Sequence, residues 1–246
     1  MSAYRSLYES LRRAFRSYFM EGGMPKERIP CLKERDESLS MGVTQTGLTL
    51  ILHFGLCEEE ERPALAARLV ELIRENGMRM TTGFVGTPYL LHVLTANGYC
   101  DVAYELLMQE RNPSWLYSVC HGATTMWEHW NGIKEDGSFW SDKMNSFNHY
   151  AYGAVFDWIF NRAVGISPVE EAPGYREVLL EPHPNRCLGF AEGSILSRCG
   201  VIRSHWYYKG DKVFYELEIP KGVTAHLHLP SGHTETLRSG CYHFAE

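Results

Sequence analysis

Thr87-Pro88-Tyr89-Leu90-Leu91-His92-Val93-Leu94-Thr95-Ala96-Asn97-Gly98-Tyr99-Cys100-Asp101-Val102-Ala103-Tyr104-Glu105-Leu106-Leu107 reads as one helix stopped by Asn97-Gly98 and followed at once by another. Pro88 suits a first helical turn, where its missing N–H has no partner to lose and its fixed φ is already helical. Leu90, Leu91, Val93 and Leu94 supply the inward face of the first helix. Cys100, Ala103, Leu106 and Leu107 do so for the second, which runs from Tyr99 to Gln109. A connection this short makes the two antiparallel neighbours.

The same unit stands upstream. Residues 44–56 are apolar on nearly every side, as a helix buried all round would be. Glu58 to Glu61 and Pro63 then open a second helix with Leu65, Leu69, Leu72 and Ile73 as its stripe, closed by Asn76-Gly77. Still earlier, Tyr4, Leu7, Tyr8, Leu11, Phe15, Tyr18 and Phe19 fall at helical spacing, with Arg5, Arg12, Arg13 and Arg16 mostly elsewhere on the wheel. The aromatic stripe is expected in the core and the arginines in water. Gly22-Gly23-Met24-Pro25 ends that helix, and the polar, proline-bearing segment to Ser40 reads as a connection. Downstream, Phe147, Tyr150, Ala151, Ala154, Val155, Trp158 and Ile159 trace a last long helix, so residues 1–165 are expected to be all α, in pairs.

Beyond Gly165 the pattern changes. Pro168, Pro173, Pro182 and Pro184 exclude long helices. Short β-rich runs follow at 178–180, 194–196, 201–208, 212–219 and 224–229, with Gly210-Asp211 and Lys221-Gly222 as turns. Residues 166–246 are therefore expected to form a small antiparallel β-sandwich.

Composition narrows the function. The chain has 246 residues, 44% of them hydrophobic, and 24 Lys and Arg against 30 Asp and Glu, a net charge of -6 that argues against a nucleic-acid partner. No apolar run approaches the ~20 residues that span a bilayer, and Met1-Ser2-Ala3-Tyr4-Arg5 lacks a signal-peptide core, so no membrane association and a cytoplasmic location are expected. Seven cysteines without a C-x-x-C pair read as reduced thiols. His226 and His228 would share one strand face, but no third ligand stands at a usual spacing, and neither a metal nor a cofactor is expected.

Chemistry concentrates in His121-Gly122-Ala123-Thr124-Thr125-Met126-Trp127-Glu128-His129-Trp130. Glu128 stands between the indoles of Trp127 and Trp130, an acid beside apolar faces on which a sugar ring can stack. Thr125-Met126-Trp127-Glu128 equally fits a capping box, in which the carboxylate reaches back to its own helix's first amides. Trp115 joins the indoles as a stacking position, and each tryptophan is equally compatible with a place in the core. Asp136, Asp142 and Asp157 read as solvated loop or helix-surface acids.

Three stretches then occur in order: Thr81-Thr82-Gly83-Phe84-Val85-Gly86-Thr87-Pro88-Tyr89-Leu90, Gly122-Ala123-Thr124-Thr125-Met126-Trp127-Glu128 and Asn145-Ser146-Phe147-Asn148-His149-Tyr150-Ala151-Tyr152-Gly153-Ala154. Together they resemble the carboxy-terminal part of bacterial α-L-rhamnosidases. The resemblance implies the second half of a six-on-six α/α barrel followed by a β-sandwich. It implies inverting hydrolysis of terminal α-L-rhamnosides, with Glu128 as general base and His149 in contact with the sugar. Such hydrolysis needs two acids, and the family's general acid belongs to an acidic motif that nothing in residues 1–246 matches. The isolated chain is accordingly expected to be weak or inactive, and to meet either a second copy of itself or a separately encoded first half of the barrel. A non-catalytic carbohydrate-binding module and a structural or interaction protein on the same fold are the other readings.

Overall fold

In a computed structural model of the protein, residues 2–27 and 43–246 are described, so most of the connection read up to Ser40 lies outside them. They fall into two compact units, Met1–Gly153 and Ala154–Glu246.

The first unit is helical. Helix α1 (Ser2–Phe19) runs into a two-stranded ribbon, β1 (Met20–Glu21) with β2 (Met24–Pro25). Then come α2 (Gln45–His53), α3 (Arg62–Glu75), α4 (Thr87–Ala96), α5 (Cys100–Leu107) and α6 (Trp115–Cys120). The paired reading holds: α2 packs on α3, α4 on α5, and α2 on α4. Leu48, Ile51, Leu52, Leu65, Leu69, Ile73, Leu90, Leu91 and Leu94 form the core between them. Thr44 caps α2, its side-chain oxygen accepting from the Gly47 amide at 3.0 Å. Gln45, buried beside it, donates to the carbonyls of Leu72 and Arg79 and accepts from the Thr81 amide at 2.8 Å. One buried amide group thus fixes the start of α2, the end of α3 and the entry to the loop before α4, with its polar atoms paired.

Helix α1 departs from the amphipathic expectation. Most of its aromatic stripe faces outward, with Tyr4 81%, Leu7 55%, Leu11 60% and Tyr18 49% exposed, while Phe15 and Phe19 are half-buried. Arg12 and Arg16, half-buried, face the chain instead, while Arg5 and Arg13 are exposed. Arg12 donates to the carbonyls of Gly55 and Cys57 and pairs with Glu58, while Arg16 grips Glu61 through both terminal nitrogens at 2.6 and 2.9 Å. The carbonyls of residues 54–57 follow the end of α2 and need donors, which Arg12, Arg16 and the Tyr8 hydroxyl supply. The all-round apolar reading of residues 44–56 is likewise trimmed, because α2 stops at His53 and Phe54 is 49% exposed.

The second unit begins with a tight turn (Tyr150–Ala154) shared with the first, a single turn α7 (Val155–Trp158) and a widened turn (Ile159–Val164) closed by Gly165 at φ +85°. The long helix expected from Phe147 therefore starts only at Tyr150 and changes its winding twice. Strands β3 (Ile166–Pro168), β4 (Glu177–Leu180), β5 (Phe190–Ser197), β6 (Gly200–Lys209), β7 (Lys212–Ile219), β8 (Thr224–His228), β9 (Thr234–Leu237) and β10 (Gly240–Ala245) form two four-stranded sheets, ordered β10-β7-β6-β5 and β3-β4-β8-β9. The first is antiparallel throughout, as the meander predicted. The second is mixed: β4 and β8 run parallel, because the chain between them is spent on the other sheet and returns in the same direction. Trp206, Tyr215, Leu217 and Ile202 of one sheet meet Val178, Leu180, Ala225 and Leu227 of the other in a single core. Trp206, fully buried, donates from its indole to the Ala163 carbonyl at 2.6 Å and so ties the widened turn to β6.

Candidate active site

The chemistry-bearing stretch leaves α6 through Gly122, whose φ of +80° a side chain would strain. It does not re-enter a helix at Thr125. The segment stays irregular, and the capping box is overturned: the Thr125 hydroxyl donates to the Phe147 carbonyl instead of capping. Two backbone bonds zip this segment to a later one. The Glu128 amide donates to the Ser146 carbonyl at 3.0 Å, and the His149 amide to the Met126 carbonyl at 2.8 Å. Glu128 and His149 are thereby carried on two irregular segments braced against each other, although they lie far apart in the chain.

The Glu128 side chain is half-buried and makes no hydrogen bond or ion pair with any described residue, so its carboxylate is not committed to a structural role. His149 is also half-buried. Its Nδ1 accepts a long hydrogen bond, 3.4 Å, from the Ala151 amide; a backbone amide can only donate, so in the neutral ring the proton sits on Nε2.

The three tryptophans separate. Trp127 is 4% exposed, edge-on to Phe147 and close behind Gly132, where an added Cβ would come within 3.2 Å of its ring. Trp115 is 6% exposed and its indole donates to the Tyr152 carbonyl at 2.9 Å. Both belong to the core of this unit. Trp130 is half-buried, stacked on Tyr152 at 3.7 Å and edge-on to Trp115 at 5.4 Å.

Two aromatic residues not singled out from the sequence complete the group. Tyr152 is buried under Trp130, and its phenol is pushed above the ordinary 10 by desolvation first and by the nearby Glu128 charge second. Phe84, from the loop before α4, lies parallel to the His149 ring at 4.7 Å and tilted against Tyr152 at 4.8 Å. Both stand inside the quoted motifs, but nothing in their local spacing tells them from core aromatics. Beside Glu128, the His129 ring stacks on Trp140 at 3.6 Å, and its Nε2 is buried without a partner among the described residues.

Two depressions of ≈ 360 and ≈ 340 Å³ lie in this unit, one against Gln45 and Thr81, the other against Asn112, Tyr117 and Asp136; neither is lined by Glu128 or His149. Among the described residues no group of three or more His, Cys, Asp or Glu is arranged to hold a metal ion, and no helix is long and apolar enough to cross a membrane. Cys57, Cys120, Cys199 and Cys241 are free thiols.

Comparison with known proteins bears on this arrangement. Residues 1–163 match the model of the bacterial alpha-L-rhamnosidase 6 hairpin glycosidase domain, and residues 165–243 that of the bacterial alpha-L-rhamnosidase C-terminal domain. An alpha-L-rhamnosidase of Formosa agariphila is 36% identical over 96% of this chain, and one of Streptomyces avermitilis is 36% identical over 96%. The chain spans only 24% and 21% of the length of those two relatives. The crystal structure of the Streptomyces avermitilis enzyme, complexed with L-rhamnose, superposes with a TM-score of 0.88 at 33% identity, covering 100% of this chain and 24% of that one. The Aspergillus terreus enzyme superposes at 0.89 and 32% identity, covering 99% and 27%.

Proposed function

The chain belongs to the bacterial α-L-rhamnosidase family, and on that footing we propose that Glu128 is the general base of an inverting hydrolysis of terminal α-L-rhamnosides. The observation that carries the reading is the uncommitted carboxylate of Glu128, braced through two backbone bonds beside the segment that holds His149. In this role Glu128 takes a proton from water as the water attacks the anomeric carbon, on the face opposite the departing oxygen. His149 donates from Nε2 to a sugar oxygen, and Trp130 offers the apolar surface. Trp115 and Trp127, being buried, set the shape of this wall and do not stack on the sugar themselves.

The second acid of an inverting pair stands ~6.5–9.5 Å from the first, with room for the water between. No stretch of residues 1–246 matches the family's acid motif, so the reaction requires an acid from outside this sequence. The reading therefore draws the acid from a first half of the barrel; a second copy has the same sequence and would cover apolar surface without supplying that acid. The outward aromatic stripe of α1 supports a covered surface there. A cytoplasmic location is part of the same reading, supported by the free thiols.

The test is hydrolysis of an aryl α-L-rhamnoside by the chain alone, by the chain with a polypeptide carrying the missing half, and by both with Glu128→Gln. Activity only on complementation, abolished in the variant, is the expected result. Full activity of the chain alone would overturn the account of the acid. Binding of L-rhamnose with no turnover under any complementation would favour a carbohydrate-binding module.

A further inference from the structure

Phe84 touches both halves of the aromatic wall around Glu128. One ring contact is parallel to the His149 imidazole, with centroids 4.7 Å apart and planes 2° from parallel; the other is against Tyr152 at 4.8 Å and 46°. Tyr152 in turn lies on Trp130 at 3.7 Å, two residues beyond Glu128. Phe84 itself remains 41% exposed.

The loop that holds it is built firmly. The hydroxyls of Thr82 and Thr87 share a buried hydrogen bond at 2.8 Å, and the Gly86 and Thr87 amides both donate to the Gly83 carbonyl at 3.2 and 3.0 Å. Gly86 has no room for a side chain, since a Cβ would lie 3.0 Å from the Thr46 hydroxyl. The loop thus presents Phe84 at a fixed height beside residues that come 65 and 68 positions later in the chain.

The only hydrogen bond described for the His149 ring is the long one at Nδ1, too weak alone to fix the ring plane. We propose that Phe84 is a positioning residue: its flat face sets the plane of the His149 imidazole and keeps Nε2–H directed at a hydroxyl or ether oxygen of a bound deoxyhexose. This rests on the carbohydrate reading of the site. A parallel ring at this separation resists rotation of the imidazole about its Cβ–Cγ bond, which an aliphatic side chain does not. It also leaves the sugar's apolar face to Trp130, so polar and apolar contacts to one pyranose come from opposite ends of the same stack.

The test compares wild type, Phe84→Leu, Phe84→Tyr and His149→Ala in the full chain, using L-rhamnose titrated by NMR and long-range nitrogen-proton correlation of the imidazole rings. Phe84→Leu is expected to raise the Kd for L-rhamnose about tenfold, the effect of one misdirected hydrogen bond. It should also mix the two neutral tautomers of His149, with Phe84→Tyr restoring both readouts. If Phe84→Leu binds and reports a single Nε2–H tautomer as wild type does, while His149→Ala loses the sugar, the positioning role is overturned and the carbohydrate reading stands. If wild type and His149→Ala alike fail to bind L-rhamnose, both alone and with the complementing first half, the carbohydrate reading fails. The tautomer signal then decides: unchanged in Phe84→Leu, it refutes the clamp; mixed and restored by Phe84→Tyr, it upholds it.

Discussion

Glu61→Gln should release helix α1 from the rest of its unit without unfolding that unit. Most of the stripe that would ordinarily anchor such a helix is exposed, with Phe15 and Phe19 half-buried, so its attachment rests chiefly on Arg12 and Arg16. Glu61 accepts both terminal nitrogens of Arg16 and the Glu58 amide at 2.8 Å. These bonds, the Arg16 guanidinium first, hold its carboxyl down to about 2 from an ordinary 4.5. At about 1.36 kcal/mol per pH unit that gap sets a ceiling of roughly 3.4 kcal/mol. The side chains of Arg16 and Glu61 are 23% and 21% exposed, so solvent screens the pair. A net effect of about 1–2 kcal/mol is expected, above the usual ~0.2–1 of open surface pairs because the geometry is bidentate. The folded pKa lies below the unfolded one, so this stability is fully present above pH 4.5 and is lost as pH falls towards about 2. Hydrogen exchange of peptides covering residues 2–19 should accelerate about 5–30-fold at neutral pH in Glu61→Gln. Peptides from α3 and α4 should hold their rates, and the difference from wild type should shrink in acid. Exchange in residues 2–19 at the wild-type rate would refute the reasoning, because it would mean the aromatic stripe holds the helix after all.

Further predictions concern the second unit. Trp206→Phe keeps most of the packing but strands the buried Ala163 carbonyl, and should cost about 1–3 kcal/mol in urea unfolding followed by a β-domain probe. Gly165→Ala should lower stability by roughly 3 kcal/mol or more, since φ is +85° and the new Cβ would overlap the Pro182 backbone; soluble expression with an unchanged Tm would contradict this. Burial, helped by Glu246, raises the Tyr215 phenol well above its ordinary 10. Stability should therefore decline as pH rises past 10, where the unfolded chain ionises first, and Tyr215→Phe should flatten that decline in alkaline melting curves.

Much of the site was legible in local pattern only as far as residue type. The acid at 128 and the imidazole at 149 stood out because of the motifs around them, but the Thr125–Glu128 spacing suggested a helix that does not form. The bonds that decide the matter come from Ser146 and Phe147, which spacing around Glu128 cannot reveal. For the same reason Trp115, Trp127 and Trp130 looked alike in the sequence, while one is half-buried and two are sealed.

The sequence alone determined the helix pairs from α2 to α5 and the β-rich second part, because apolar periodicity and Gly, Pro and Asn stop signals act within a few residues of where they stand. Tertiary structure alone decided which face of α1 turns inward, since a periodic stripe says which residues share a face and not what that face meets. The unpaired carbonyls after α2 attracted the arginine side. It also decided that β4 and β8 run parallel and that Phe84 stands against His149. Both are pairings between distant segments, and the free energy that selects them resides in surfaces that exist only once the chain has folded.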